Sequence, residues 1–367
     1  MPDNNTESKR DFRQEVTDQI IAMLEKGTAP WQKPWEPGTF HMPFNPTTEK
    51  GYRGGNALHL MAVAAQKGYE DPRWVTYRQA QENGWQVKKG EKGAHIEYWQ
   101  FNDRNGRDGR QSPADDGPAE AGKDDKDRHN PIHRIYTVFN ASQIEGVQPL
   151  QPKQPQEWEV AHAGEEILRN SGASIHHDQA DRAFYSRGRD EIHLPPKDAF
   201  KSAANYYGTA LHELGHWSGH PTRLNRQTLN EGYSFGDPNY AKEELRAELA
   251  SVFLAAERGI PHNPEQHAAY VGSWITALRN DKNEIFRAAK NAHTAADYLL
   301  GLERTPELRR ETSEHVADFE RGSATVNITE KETATEHRSP TAALGAKIEA
   351  EKILDGEVNG QRSPASE

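Results

Sequence analysis

Three histidines and one glutamate fall within the twelve residues from Thr209 to His220, TALHELGHWSGH. The HELGH portion fits H-E-x-x-H, which on a helix stacks His212 and His216 one turn apart on one face, where both imidazoles can bind a single cation. Glu213, next to the first histidine, lies close enough to polarise a water on that cation. In such a site the metal lowers the pKa of its water towards about 7, and Glu213 takes the proton and returns it to a leaving amine. The chain has no cysteine, so thiolate chemistry, disulfides and cysteine-based zinc sites are excluded. Any metal must be held by His, Asp or Glu.

Such chemistry needs elements that position it. SAANYYGTALHEL can form a helix with Tyr207, Leu211 and Leu214 facing a core, which places the motif on a helix, and Gly215 and Gly219 keep side-chain bulk away from the metal. Downstream, AKEELRAELAS sets Glu244 and Glu248 one turn apart, with Leu245 and Leu249 beside them. A catalytic zinc takes three protein ligands and keeps one position open, and His, His, Glu is a standard set. Glu244 is the favoured third ligand, with Glu248 accepting a histidine N–H; the reverse assignment stays open. His220 is a weaker candidate because Gly219 and Pro221 mark the helix end, and Thr222 occupies the position of a metzincin's third histidine. The same residues also admit a solvated amphipathic helix or a structural metal site, though a purely structural site has no use for Glu213. The strand EIHLP, just before the helix, reads either as an edge to which an extended peptide could add or as an ordinary core strand.

A length of 367 residues predicts two folded domains plus irregular segments, and 34% hydrophobic residues with a mean hydropathy of -0.99 leave a good part of the chain solvated. The N-terminus lacks the apolar run of a signal peptide and no stretch approaches the roughly 18 residues of a membrane span, so a soluble cytoplasmic protein is expected. Of the net charge of -11, residues 102–130 and 301–367 carry -7, while residues 1–101 balance at 13 acidic and 13 basic. Charge therefore neither excludes nor supports nucleic-acid binding by the first part of the chain.

Periodicity and turn residues predict helices at 12–26 and 55–67, then a short helix and strands up to residue 101. The composition of 102–130 turns to Asp, Gly, Arg, Pro and Lys, which reads as a disordered insertion or mobile loop, after which IHRIYTVFN returns to the same sheet. GVQPLQPKQPQ is a linker. Helices near 158–170, 240–257 and 264–300, the hairpin AFYSRGRDEIHLP, the histidine helix and a looped 219–239 follow, before a mostly disordered tail at 305–367. The fold class is α+β, with domains at 1–150 and 156–304.

Within the first domain Trp31, Trp35, Tyr52, Arg53, Trp74, Tyr77, Arg78, Trp85, Lys88, Lys89 and Lys92 supply rings to stack on bases and cations to follow phosphates, the needs of a single-strand binder. The same rings could be core and KKGEKG a solvated turn. The ordered motifs TAPWQKPW, YRGGNALHL, DPRWVTYRQAQENGWQVKKGEKG and YTVFNASQIEGV resemble the N-terminal domain of the ArdC antirestriction proteins of conjugative plasmids, also found in some plasmid primases. YYGTALHELGHWSGHPTRLNR, YAKEELRAELAS and YVGSWITALRNDKNEIFRAAKNAHTAADYLL continue the resemblance, which covers about 12–101, 131–150 and 156–300.

The resemblance implies a single-stranded-DNA-binding domain joined to a zincin-like metallopeptidase domain, related in outline to the Spartan proteases that act on DNA–protein crosslinks. It places the metal, zinc or another divalent ion such as manganese, on His212, His216 and a glutamate of EELRAE, and the base on Glu213. The implied role is protection of incoming plasmid DNA, with single-stranded DNA as partner and a DNA-bound protein as a peptidase substrate. Two alternatives accompany it: a non-enzymatic single-strand-binding protein, as a replication or primase accessory, whose metal site is structural, and a general protease unrelated to DNA.

Overall fold

The computed structural model describes residues 11–27, 29, 31, 41–100, 132–150, 157–231, 238–260 and 270–304. Helix α1 (Phe12–Glu25) is capped by Asp11, which accepts from the Gln14 N–H at 3.1 Å, and Phe12, Val16, Ile20 and Leu24 recur on its buried face. A short hairpin of β1 (Phe44–Asn45) and β2 (Lys50–Gly51) leads into α2 (Gly54–Lys67), which ends at Gly68 in the left-handed conformation, φ 72°. Strand β3 (Trp74–Thr76) passes straight into α3 (Tyr77–Glu82) because Thr76 and Gln79 form a reciprocal capping box. Four strands follow: β4 (Gln86–Val87), β5 (Ala94–Gln100), β6 (Ile132–Asn140) and β7 (Ile144–Glu145).

The N-terminal sheet is antiparallel in the order β3-β6-β5, and β6 pairs β5 from Ala94↔Val138 to Gln100↔Ile132. IHRIYTVFN thus returns to the sheet as expected. The outer edge of β5 meets α2 through one buried amide: Asn56 Nδ2 donates to Glu97 O at 2.8 Å and Asn56 Oδ1 accepts from the Glu97 N–H at 2.9 Å. Strands β4 and β7 form a separate pair over Val75, Ala80, Val87 and Ile144.

The second half begins with α4 (Glu157–Ser171), then β8 (Ser174–His176), β9 (Phe184–Ser186) and β10 (Glu191–His193). Helices α5 (Ala203–Trp217), α6 (Gln227–Asn230), α7 (Pro238–Arg258), α8 (Val271–Asn280) and α9 (Glu284–Arg304) follow. The whole is α+β. One open reading of the sequence is decided here and two are refined. EIHLP supplies β10, which lies between parallel β8 and antiparallel β9, so it is a central strand and offers no edge. The apolar period through 264–300 divides into α8 and α9 at Asp281, which accepts from the Asn283 N–H at 2.8 Å. The looped 219–239 contains the short α6. The insertion at 102–130 and the tail at 305–367 lie outside the described residues.

One hydrophobic core runs through both halves, from Ile20, Leu58 and Leu60 to Leu211, Leu249, Phe253 and Leu299. Gly55 of α2 touches the Phe286 ring of α9 so closely that a Cβ there would lie 2.3 Å from Phe286 Cδ1. Thr17 of α1 donates to Lys282 O at 2.8 Å, and Arg13 reaches both Glu97 and Asn283. The N-terminal helices are therefore packed into the same interior as the helices that carry the histidines.

Candidate metal centre

Helices α5 and α7 cross at Gly215, where a Cβ would stand 3.1 Å from Ala247 Cα. Gly219 makes room for the Arg226 guanidinium, 2.7 Å from its would-be Cβ. These glycines serve helix crossing and an arginine, rather than clearing space at the metal as the sequence suggested. At the crossing, His212 Nε2 and His216 Nε2 stand 3.1 Å apart, and the Glu244 carboxylate faces both, Oε2 at 3.4 Å from the first and Oε1 at 3.6 Å from the second. Ligand atoms of His212, His216 and Glu244 all lie within 4.8 Å of one another, close enough for one ion.

The outer ring nitrogens are held by other carboxylates. His212 Nδ1 faces Glu248 Oε2 at 3.6 Å, and His216 Nδ1 faces Glu243 Oε1 at 3.3 Å. An Nδ1–H directed at a carboxylate leaves Nε2 with its lone pair turned inward, the tautomer a metal ligand needs. Glu243 is itself clamped by Arg226, whose Nε lies 3.0 Å from each carboxylate oxygen, and it accepts from Thr228 Oγ1 at 2.5 Å. Arg226 also donates to Gly215 O at 2.7 Å and Ser218 Oγ at 3.0 Å, tying the loop after α5 back to the helix.

The electrostatics favour a positive charge between the two imidazoles. His212, Glu213, His216 and Glu244 are each at most 1% exposed. Burial disfavours protonation of His212, but hydrogen bonds to Glu244 and Glu248 and the charge of Glu213 outweigh it and push the imidazole up to about 10. Burial would likewise raise the Glu243 carboxyl, yet the Arg226 charge and the His216 and Arg226 hydrogen bonds hold it well below the usual carboxylate range. Two inward imidazole nitrogens and one carboxylate, in a buried cluster with surplus negative charge, fit a divalent cation. Tyr240, one turn before Glu244 on α7, has its hydroxyl 2.7 Å from that of Tyr270, just before α8; burial, then the charge of Glu244, raise the Tyr270 phenol.

Of the residues proposed from sequence, His212, His216 and Glu244 meet, Glu213 sits beside them on α5, and Glu248 takes the outer position on His212. His220 bonds Thr222 Oγ1 at 2.8 Å instead. Glu243, Arg226, Thr228, Tyr240 and Tyr270 were not foreseen. Only Glu243 had a signal, since its neighbour Glu244 was already placed on that helix.

Residues 162–291 match a family described as zincin-like metallopeptidase, and residues 10–139 match the N-terminal domain of anti-restriction factor ArdC. The antirestriction ArdC protein of the R388 plasmid, in its metal-free crystal structure, is 38% identical with a TM-score of 0.63, over 80% of this chain and 98% of that one. The chain belongs to the ArdC antirestriction family. A Mn(II)-bound structure of the same ArdC protein matches equally, at TM-score 0.63 over 81% and 100% of the two chains. Protein y4eC of Sinorhizobium fredii is 34% identical over 301 residues, 81% of this chain and 94% of y4eC. Two DNA primases TraC of Escherichia coli are 46% identical over 321 and 304 residues, 86% and 82% of this chain, which spans only 29% and 20% of their lengths. Among the described residues no helix is long and apolar enough to cross a membrane.

Within this ArdC-family N-terminal unit, the residues expected to meet DNA do not form one surface. Trp31 is buried against Trp274, with ring centroids 6.1 Å apart, and Trp74 packs on Tyr69. Tyr52 is buried and donates to Trp74 O at 3.0 Å. These three rings are core: burying a large aromatic stabilises the fold more than exposing it in a Pro-rich segment, and a buried face cannot stack on a base. Arg53 pairs with Asp297, and Trp35 lies outside the described residues. Tyr77 is exposed, Arg78 pairs with Glu82 at 2.8 Å, Trp85 is half-buried on the small cluster, and Lys88 donates to Ser142 O at 2.9 Å. Lys89 and Lys92 are exposed.

Proposed function

We propose that this chain is an antirestriction protein that binds single-stranded DNA through its N-terminal half and hydrolyses a peptide bond of a DNA-bound protein at the centre formed by His212, His216, Glu244 and Glu213. The observation that carries the reading is the position of Glu213 on α5, next to one of two imidazoles whose outer nitrogens are each held by a carboxylate. A divalent cation, zinc or manganese, would supply Lewis acidity and lower the pKa of a coordinated water to about 7. Glu248 and Glu243 orient the two rings, and Arg226 fixes Glu243. Glu213 accepts a proton from the attacking water and delivers it to the departing amine nitrogen. Family membership and the Mn(II)-bound relative support the divalent ion; the zincin-like match supports the peptidase class.

A second reading, a single-strand-binding protein with a structural metal, is favoured by the near-complete burial of all four side chains, since structural sites are closed and catalytic ones keep a position open. The full-length chain, loaded with Zn(II) or Mn(II) and mixed with a protein crosslinked to a single-stranded oligonucleotide, distinguishes the two. Cleavage that Glu213→Gln abolishes, with metal retained, is the expected result; no cleavage of the DNA-bound substrate under any metal leaves the structural reading standing and sinks the enzymatic one.

A further inference from the structure

A groove of 490 Å³ opens on the N-terminal unit between α1, α2 and the β5 end of the sheet, and neither His212 nor His216 lines it. Its walls are apolar where Val16 and Val63 face it and flat where Tyr69 does. Gln19 of α1 donates to Gln66 of α2 at 3.1 Å, which leaves the Gln19 carbonyl oxygen and the Gln66 amide to present an acceptor and a donor to the opening. The rim carries Lys67 and Lys92, both exposed and neither paired with a carboxylate among the described residues. Glu15 is the single carboxylate among the lining residues, and Glu91, which accepts from Gln143 Nε2 at 2.8 Å, lies behind them.

We infer that this groove takes one nucleotide of a single strand, the base against Val16, Val63 and Tyr69 and the flanking phosphates against Lys67 and Lys92. This rests on the DNA-binding half of the proposed function and narrows it to a groove whose lining includes Trp74 and Lys92 of the residues named from the sequence, whereas Trp31 and Tyr52 are buried in the core. The chemistry selects the occupant. An apolar wall with an aromatic ring matches the faces of a base, a paired donor and acceptor match its edge, and unpaired cations match the backbone on either side. The volume falls within the range of pockets that enclose a small molecule. A duplex cannot lend a base to such a groove without unpairing it.

The test is fluorescence anisotropy of the full-length protein with a labelled oligo(dT) and with a duplex, at several salt concentrations, comparing wild type, Lys67→Ala/Lys92→Ala, and the charge-matched Lys26→Ala/Lys50→Ala. A second measurement crosslinks 4-thiothymidine-substituted oligo(dT) by light and maps the adduct. Expected are a roughly tenfold to hundredfold weaker single-strand Kd for Lys67→Ala/Lys92→Ala only, a salt slope smaller by about 1.4, and an adduct on the peptide containing Tyr69. Single-strand binding by wild type that the groove variant retains in full, or that both double variants weaken equally with no adduct near Tyr69, overturns the groove alone. No single-strand binding by the wild-type protein overturns the DNA reading and the groove with it.

Discussion

His212 and His216 bring their Nε2 atoms to 3.1 Å, and Glu244 closes the third side of the same small space. Two inward lone pairs at that distance repel unless a proton or a cation lies between them. Without a cation the negative surroundings keep His212 protonated up to about pH 10, so the ion and the proton compete for one place. Metal binding at neutral pH is then expected to release a proton, and the apparent Kd to fall about tenfold per pH unit as pH rises. Calorimetry in two buffers of different ionisation enthalpy measures that release directly; an unchanged heat between buffers would contradict it.

Glu243 joins the metal centre to the loop through Arg226. Glu243→Gln leaves the buried guanidinium without its countercharge and is expected to cost about 3 kcal/mol of stability in metal-free protein. It should also weaken metal binding by roughly tenfold to hundredfold, because the neutral amide oxygen of Gln is a weaker acceptor than the carboxylate that holds the His216 Nδ1–H. Denaturant unfolding and metal titration give the two numbers. Glu243→Gln combined with Arg226→Met should recover much of the stability and none of the affinity.

His293 of α9 is buried beside the start of α2, where its Nδ1 accepts from the Gly54 N–H at 3.3 Å. Burial, then the nearby Arg53 charge, lower this imidazole from 6.5 to about 3. Between those values the unfolded chain binds a proton that the folded one refuses. Stability is therefore full above pH 6.5 and declines as pH falls towards 3, by roughly 2 to 3 kcal/mol at pH 4.5. His293→Gln keeps an acceptor and removes the titration, so its unfolding free energy should vary less between pH 7 and 4.5. An equal decline in both proteins would place the acid sensitivity elsewhere.

The metal ligands were legible because their spacing is set by one helix: an imidazole at i and i+4, with a glutamate between, has a single geometric meaning on α5. Glu244 and Glu248 were legible as a pair for the same reason, although only the packing of α7 against α5 decides that Glu244 faces both Nε2 atoms. Arg226, Tyr240 and Tyr270 were not, since their roles come from contacts across loops and helices that no local period encodes. The aromatic residues of the first half misled for a physical reason. Trp31 and Trp74 occur in stretches where Pro and polar neighbours suggest exposure, yet each ring is an anchor that fastens its segment to the core. EIHLP left an edge strand and a core strand equally open, because a three-residue strand carries no mark of whether one or both of its edges are paired.

The most direct test of the metal centre is a titration of metal-free full-length protein with Mn(II) and with Zn(II), comparing wild type with Glu213→Gln, Glu244→Ala and Glu248→Ala. One ion per chain in wild type and in Glu213→Gln, affinity reduced roughly tenfold to hundredfold in Glu248→Ala, and binding lost in Glu244→Ala is the predicted pattern. One tightly bound ion in Glu244→Ala, with affinity equal to wild type, would contradict the ligand set on which the account stands.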